Sequence, residues 1–259
     1  SLINVSAPTV DGVIVGDSHS GAGGYAQFGE IHQSGATDQH QATMGIQVHE
    51  LGHLIFGLPD LYDTDGSSDG IGRWGVMSGG SWGRSSSDTY SGETAVLPCA
   101  WTKYNRGWVA GNDGDGMESL TAAGDNSATS SNTVFRASTH NIPDEYFLVE
   151  NRRPVGYDRG LERWYGTTFG GLAIFHIDDG QASNSNDNQR LVDVEEADGD
   201  SDNPLDKTDL WSPSTATLFN DSSVPNSDQY DSSPSDVSIS NISPSATVTT
   251  ADFSTADFQ

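Results

Sequence analysis

His49 and His53 stand four residues apart with Glu50 between them, in the stretch HELGHLIFGLPD of residues 49–60. On a helix that spacing turns both imidazoles to one face, a geometry suited to holding one metal ion between them. Glu50 follows the first histidine and projects beside the ion rather than onto it. There it can act as general base toward a water that zinc has acidified, and afterwards return the proton to a leaving amine. Gly52 inside the motif permits close helix packing. Gly57 gives a sharp exit that swings the chain back beneath the metal.

The third ligand is open at this level. In metzincins a glycine comes three residues after the second histidine, and a ligand three after that. Here Gly57 comes four after His53, one residue late. Asp60 keeps the expected distance from the glycine, and Asp63 stands three further on in DLYD. Both qualify, and Glu93 is a more distant third choice of the kind a later helix supplies. An aspartate that does not bind the metal can orient a ligand histidine instead. Downstream, RWGVMSGGSWG places Met77 in a tight Gly/Ser turn, which reads as a Met-turn, a hydrophobic floor under the ion. His32, Tyr62 and Tyr90 are candidates for stabilising an oxyanion, and spacing does not choose among them. No Ser/His/Asp nucleophile emerges: Ser18 and Ser20 in GDSHSGAG lack the strand-elbow-helix setting such a group needs.

These residues need elements to position them. TDQHQATMGIQVHELGHLIF reads as a helix capped by Thr37 or Asp38, with Met44, Val48, Leu51 and Ile55 at helical spacing, stopped by Gly57 and Pro59. VDGVIVGD, residues 10–17, reads as a strand. A brief extended piece near Phe28–His32 offers an edge to which a peptide substrate adds as a strand. Residues 60–92 read as long loops, and ETAVLPCAWTKYNRGW as a second helix started near Pro98 and stopped at Gly107. Beyond about residue 111 alternating runs predict strands: TVFRAS, EYFLVENRR, GLAIFHID, VSISNIS and ATVTTADF. The expected fold class is α+β, with a metzincin-like catalytic part and its zinc-binding helix in residues 1–110. A β-rich, calcium-stabilised part in 111–259 packs on it. Residues 212–235 read as a surface loop or a partly disordered stretch.

The 259 residues carry 37 Asp and Glu against 11 Lys and Arg, a formal net charge of −26. Such a chain repels nucleic acid and anionic membranes, which excludes both as partners. No apolar run is long enough to span a bilayer. No secretory signal stands at Ser1, which predicts either a cytoplasmic chain or a processed one. Cys99 is the single cysteine, so no disulfide forms within the chain, and its apolar setting in VLPCAW reads as an inert buried thiol. Calcium is then a physical candidate for tying down loops. Two acidic stretches suit it: DTDGSSDG at 63–70, and DVEEADGDSDN at 193–203. Asp187, Glu195, Glu196, Asp198, Asp200 and Asp202 are the candidate calcium ligands, since clustered carboxylates repel one another without a cation.

Together, HELGHLIFGLPDLYD, WGVMSGGSW, AWTKYNRGW, YFLVENRRPVGYD, GLAIFHIDD and NQRLVDVEEADG resemble the immune-inhibitor-A-like secreted metallopeptidases of bacteria. The resemblance runs from about Gly45 to Gly199. It implies a secreted, extracellular protein with His49 and His53 as zinc ligands, Glu50 as the catalytic glutamate and Met77 as the Met-turn. It also implies a metzincin-type endopeptidase stabilised by calcium and broad in its protein or peptide substrates; the chain itself reads as a monomer. The alternative from another class is a calcium-dependent extracellular binding or adhesion module with a merely structural zinc helix. Such a module has no use for a spare glutamate beside the metal.

Overall fold

A computed structural model describes residues 9–10, 13–14, 26, 28–33, 38–125, 133–139, 142–200 and 204–255. The first short strands are β1 (Thr9–Val10), β2 (Val13–Ile14), β3 (Ile31–His32) and β4 (His40–Gln41), paired as two small antiparallel ribbons, β1 with β2 and β3 with β4. The rest of the strand expected over residues 10–17 lies outside the described residues, as do Thr37, His19 and His140.

Helix α1 spans Met44–Phe56. It starts later than the expected cap at Thr37 or Asp38, because His40–Gln41 is held as a strand against Ile31–His32. Thr43 is the N-cap residue, but its hydroxyl donates to the Ser91 carbonyl instead of capping the helix. At the other end Gly57 takes the left-handed conformation, φ 62°, and its neighbours close the helix with Gly57 N–H to His53 O and Leu58 N–H to Gly52 O.

Which way α1 faces is decided by its small residues. Gly45, His49 and Gly52 are buried, whereas Met44, Val48, Leu51 and Ile55 form an exposed stripe. Gly45 lies against the Ser81 carbonyl, and Gly52 against the side chain of Met77, so the helix rests on the turn of residues 75–83. A bulkier face would not fit there, and the apolar stripe is turned outward.

Helix α2 (Ala100–Asn105) begins just past Pro98 and stops before Gly107, φ 69°. Then come β5 (Gly111–Asn112), β6 (Gly116–Thr121), β7 (Val134–Ser138), β8 (Glu145–Arg152), the short helix α3 (Glu162–Tyr165), β9 (Gly171–Asp178), β10 (Val192–Val194), β11 (Ser238–Ser240) and β12 (Val248–Ser254). A five-stranded sheet runs β10-β9-β8-β7-β5, antiparallel except for the β5–β7 pair. A three-stranded sheet runs β11-β12-β6. The runs of β8 and β9 are expected to alternate, but every residue of both strands is buried, because the large sheet is covered on both faces.

One side of the large sheet meets the residues before 110. Trp74, Met77 and Trp101 share a core with Leu148, Phe175 and Ile177. The other side packs on the small sheet through Phe135, Phe147, Phe219 and Phe253. A buried ion network ties the layers: Arg152 in β8 pairs with Glu150 and Asp158 and donates to the Trp74 carbonyl, and Glu150 also meets Lys103 of α2. The serine-rich stretch from 212 to 235 is ordered around Asp221, whose carboxylate accepts from the hydroxyl of Ser227 and the amide of Ser235. No described helix is long and apolar enough to cross a membrane.

Candidate metal centre

His49 and His53 leave α1 on one face, and their Nε2 atoms stand 3.2 Å apart. The chain turns back after Gly57. Leu58 and Leu61 are buried, and the Leu61 amide bonds to the carbonyl of Met77. Between them this return holds Asp60, whose Oδ1 lies 3.0 Å from Nε2 of His49 and 3.1 Å from Nε2 of His53. One ligand atom from each of the three side chains falls within 4.8 Å of the others.

The opposite edge of each ring fixes its tautomer. Nδ1 of His49 faces the Val76 carbonyl at 2.9 Å, and Nδ1 of His53 faces the Leu58 carbonyl at 2.6 Å. A carbonyl only accepts, so each Nδ1 carries the proton and each Nε2 presents a lone pair. Two lone pairs and a carboxylate oxygen therefore converge on one point with no proton to share among them. A divalent cation resolves that conflict, and backbone carbonyls behind ligand histidines are its usual supports.

The electrostatics couple the same groups: a positive charge at this point, whether a proton or a cation, is favoured by Asp60. The hydrogen bond to Asp60 raises the pKa of His53 against the opposing effect of burial, with the Leu58 carbonyl and the charge of Glu50 adding to it. Burial disfavours ionised Asp60, but the two histidines outweigh it and hold its carboxyl below the usual carboxylate range. His53 and Asp60 keep 25% and 26% of their side chains exposed, so the site is open to solvent on that side. Glu50 is close enough for its charge to reach both His53 and Tyr62. The Tyr62 ring lies 6.2 Å from that of His49, and burial followed by the charge of Asp60 raises its pKa, keeping the phenol protonated.

The other candidates fall elsewhere. Asp63 is turned away into its own loop, where it accepts from the amides of Asp65, Ser67 and Ser68; the Asp65 amide leads in lowering its pKa. Glu93 accepts from the Thr89 amide. His32 and Tyr90 line a separate cavity of about 550 Å³ with His40, Trp82 and Arg84, where Tyr90 stacks on His40 at 3.7 Å. Met77 is fully buried under Gly52. Cys99 is buried, and burial pushes its thiol pKa up.

The six candidate calcium ligands do not gather at one point. Asp187 pairs with Arg190, and Glu195 with His176. Asp200 is not in the group that forms, and Asp202 lies outside the described residues. Glu196 and Asp198 converge with Asp209 instead, their ligand atoms within 4.8 Å of one another. Asp209 is not legible as their partner in the sequence, because only the fold brings it back to them. Its only local sign is the capping box that Asp206 and Asp209 form around residues 207–209. Burial, with the charge of Asp206, raises the pKa of Asp209 to about 7, against the opposing hydrogen bond from Trp74.

Comparison with known proteins adds an independent observation. Residues 25–110 match the catalytic domain of the immune inhibitor A peptidases, family M6. The segment takes in α1, the return through Asp60, the turn at Met77 and α2, about a third of the chain. Immune inhibitor A of Bacillus thuringiensis subsp. alesti is 47% identical over 47 residues, which is 17% of this chain and 7% of that protein's length. The chain resembles the immune-inhibitor-A peptidases over this segment, on which all three converging ligand residues lie.

Proposed function

We propose that this chain is a secreted zinc-dependent endopeptidase that hydrolyses peptide bonds in protein substrates. The observation that carries the reading is the convergence of Nε2 of His49, Nε2 of His53 and Oδ1 of Asp60, each imidazole backed by a carbonyl. This donor set of two nitrogens and one oxygen fits zinc with a position left for substrate. The family match over residues 25–110 supports the same chemistry.

Zinc held there supplies a Lewis-acid centre that acidifies water and polarises a peptide carbonyl. The chain does the rest. Glu50 accepts the proton on its carboxylate and passes it to the leaving nitrogen, a role worth roughly 10²- to 10⁴-fold in rate. Tyr62, protonated and close to Asp60, offers an O–H to the oxygen that gains charge. Met77 and Gly52 fix the height of α1 beneath the ligands. Calcium belongs to the same reading, with Glu196, Asp198 and Asp209 as its ligands.

The test is zinc content and casein hydrolysis on the parent, Glu50→Gln, Asp60→Ala and Asp63→Ala. The parent should hold about one zinc per chain and cleave casein. Glu50→Gln should keep its zinc and lose cleavage, Asp60→Ala should lose both, and Asp63→Ala should keep its zinc. A parent that binds zinc yet cleaves nothing with calcium present defeats the reading and favours a binding module.

A further inference from the structure

With no residue of α1 in its wall, a cavity of about 740 Å³ opens between the ends of the large sheet and the loops near residues 207–215 and 244–245. Its wall differs from the rest of this acidic chain. Among the described residues no Asp or Glu lines it, although the sequence holds 37 of them, and two of the 11 basic residues, Arg153 and Lys207, face it together. Neither forms an ion pair among the described residues, unlike the buried Arg152 and Arg190, which pair with carboxylates.

Two atoms in this wall have unmet hydrogen-bonding capacity. Nε of Arg153 and Oγ of Ser245 are buried and have no hydrogen-bond partner. Among the described residues Arg153 donates through Nη1, to the Thr247 hydroxyl at 3.3 Å. A guanidinium N–H only donates, so a buried one is satisfied only by an acceptor. Gly170 makes room for the pair: a Cβ there would stand 2.2 Å from Oγ of Ser245 and 2.8 Å from Cγ of Arg153. Seven of the lining residues are Ser or Thr, and Phe169 and two prolines supply flat apolar surface.

We propose that this cavity binds a sugar acid, with the carboxylate on Arg153 and Lys207 and the hydroxylated ring against the Ser/Thr wall. Asp206 and Asp198 lie behind the wall, where both accept from the Thr208 hydroxyl, so the two cations face a surface that no carboxylate lines; such a pair suits an anion, and the planar guanidinium fork matches a carboxylate. The size points to a small organic molecule rather than a bare ion, and hydroxyls lining the wall both donate to and accept from sugar hydroxyls. The site shares no residue with the His49, His53 and Asp60 centre, so it stands or falls apart from the peptidase chemistry, although Thr208 of its wall donates to Asp198 of the calcium group.

The experiment is calorimetric titration of the full chain, at constant ionic strength, with glucuronate, galacturonate and N-acetylneuraminate, and with glucose and sulfate as controls. At least one sugar acid should bind saturably with a Kd below about 1 mM, and glucose should not. Arg153→Met and Lys207→Met should each weaken that binding at least tenfold, with zinc content and the thermal midpoint unchanged. The proposal is overturned if all three sugar acids fail, if sulfate binds as tightly as they do, or if both variants bind like the parent. Binding of a sugar acid by a chain that cleaves no casein would leave this inference intact while the peptidase reading fell.

Discussion

Gly45 lies so close to Ser81 that a Cβ on it would stand 1.8 Å from the Ser81 carbonyl oxygen. The Gly45 amide also bonds to the Gly92 carbonyl at 2.8 Å, so backbone meets backbone on both sides of the helix start. Neither neighbour is a side chain that can swing away. Gly45→Ala must therefore lift the first turn of α1, four residues before His49. We expect a loss of about 1–3 kcal/mol or more in stability and weaker zinc binding. Urea unfolding and a zinc titration check this; an unchanged midpoint would mean that the helix start yields freely.

Tyr62 stands over His49 with its phenol kept protonated beside Asp60. A donor aimed at a developing oxyanion matters more to the transition state than to the bound substrate. Tyr62→Phe should lower kcat roughly 10²-fold while KM and zinc content change little. Steady-state kinetics on a fluorogenic peptide separate the two parameters. A kcat equal to that of the parent would reduce Tyr62 to a packing role on His49.

Much of this site was legible in the chain because its signals are local. The four-residue spacing of His49 and His53, the exit at Gly57, and the runs that became β7, β8, β9, β11 and β12 all depend on near neighbours. The third position was not legible. Asp60 and Asp63 are both within reach of the histidines in sequence. What separates them is the Leu61–Met77 backbone bond that draws Asp60 inward and the three amides that hold Asp63 in its loop. The facing of α1 was hidden for a similar reason. Its apolar stripe identifies a helix, but contacts of Gly45 and Gly52 with residues some 25–36 positions away decide which face turns in. Asp209 joins Glu196 and Asp198 only through the fold.

Arg152 is wholly buried, with Glu150 and Asp158 on its guanidinium and the Trp74 carbonyl at 2.7 Å. Removing one member of a buried ionic group leaves its partners charged and dry. Arg152→Met should cost on the order of 3–5 kcal/mol. Trp74 is three residues before Met77, so the loss should also loosen the floor under α1. Chemical denaturation gives the first number and zinc affinity the second. A variant as stable as the parent would show that Lys103 alone neutralises the group.

His176 is buried in β9 between Glu145, 2.8 Å from its Nε2, and Glu195, 3.2 Å from its Nδ1, with Asp193 opposite it on β10 and Tyr230 stacked on its ring. Burial works against the charge, but the hydrogen bonds to Glu145 and Glu195 outweigh it and push the pKa up to about 9 from an ordinary 6.5. The folded chain thus holds this proton more tightly than the unfolded one. Its stabilising effect is fully present below pH 6.5 and is lost as pH rises through 9. At about 1.4 kcal/mol per pH unit that window spans on the order of 3 kcal/mol. Thermal midpoints at constant ionic strength should fall between those limits, and His176→Gln should be less stable at the acid end with a flatter profile. Parallel profiles for the two proteins would show that other groups set the alkaline loss.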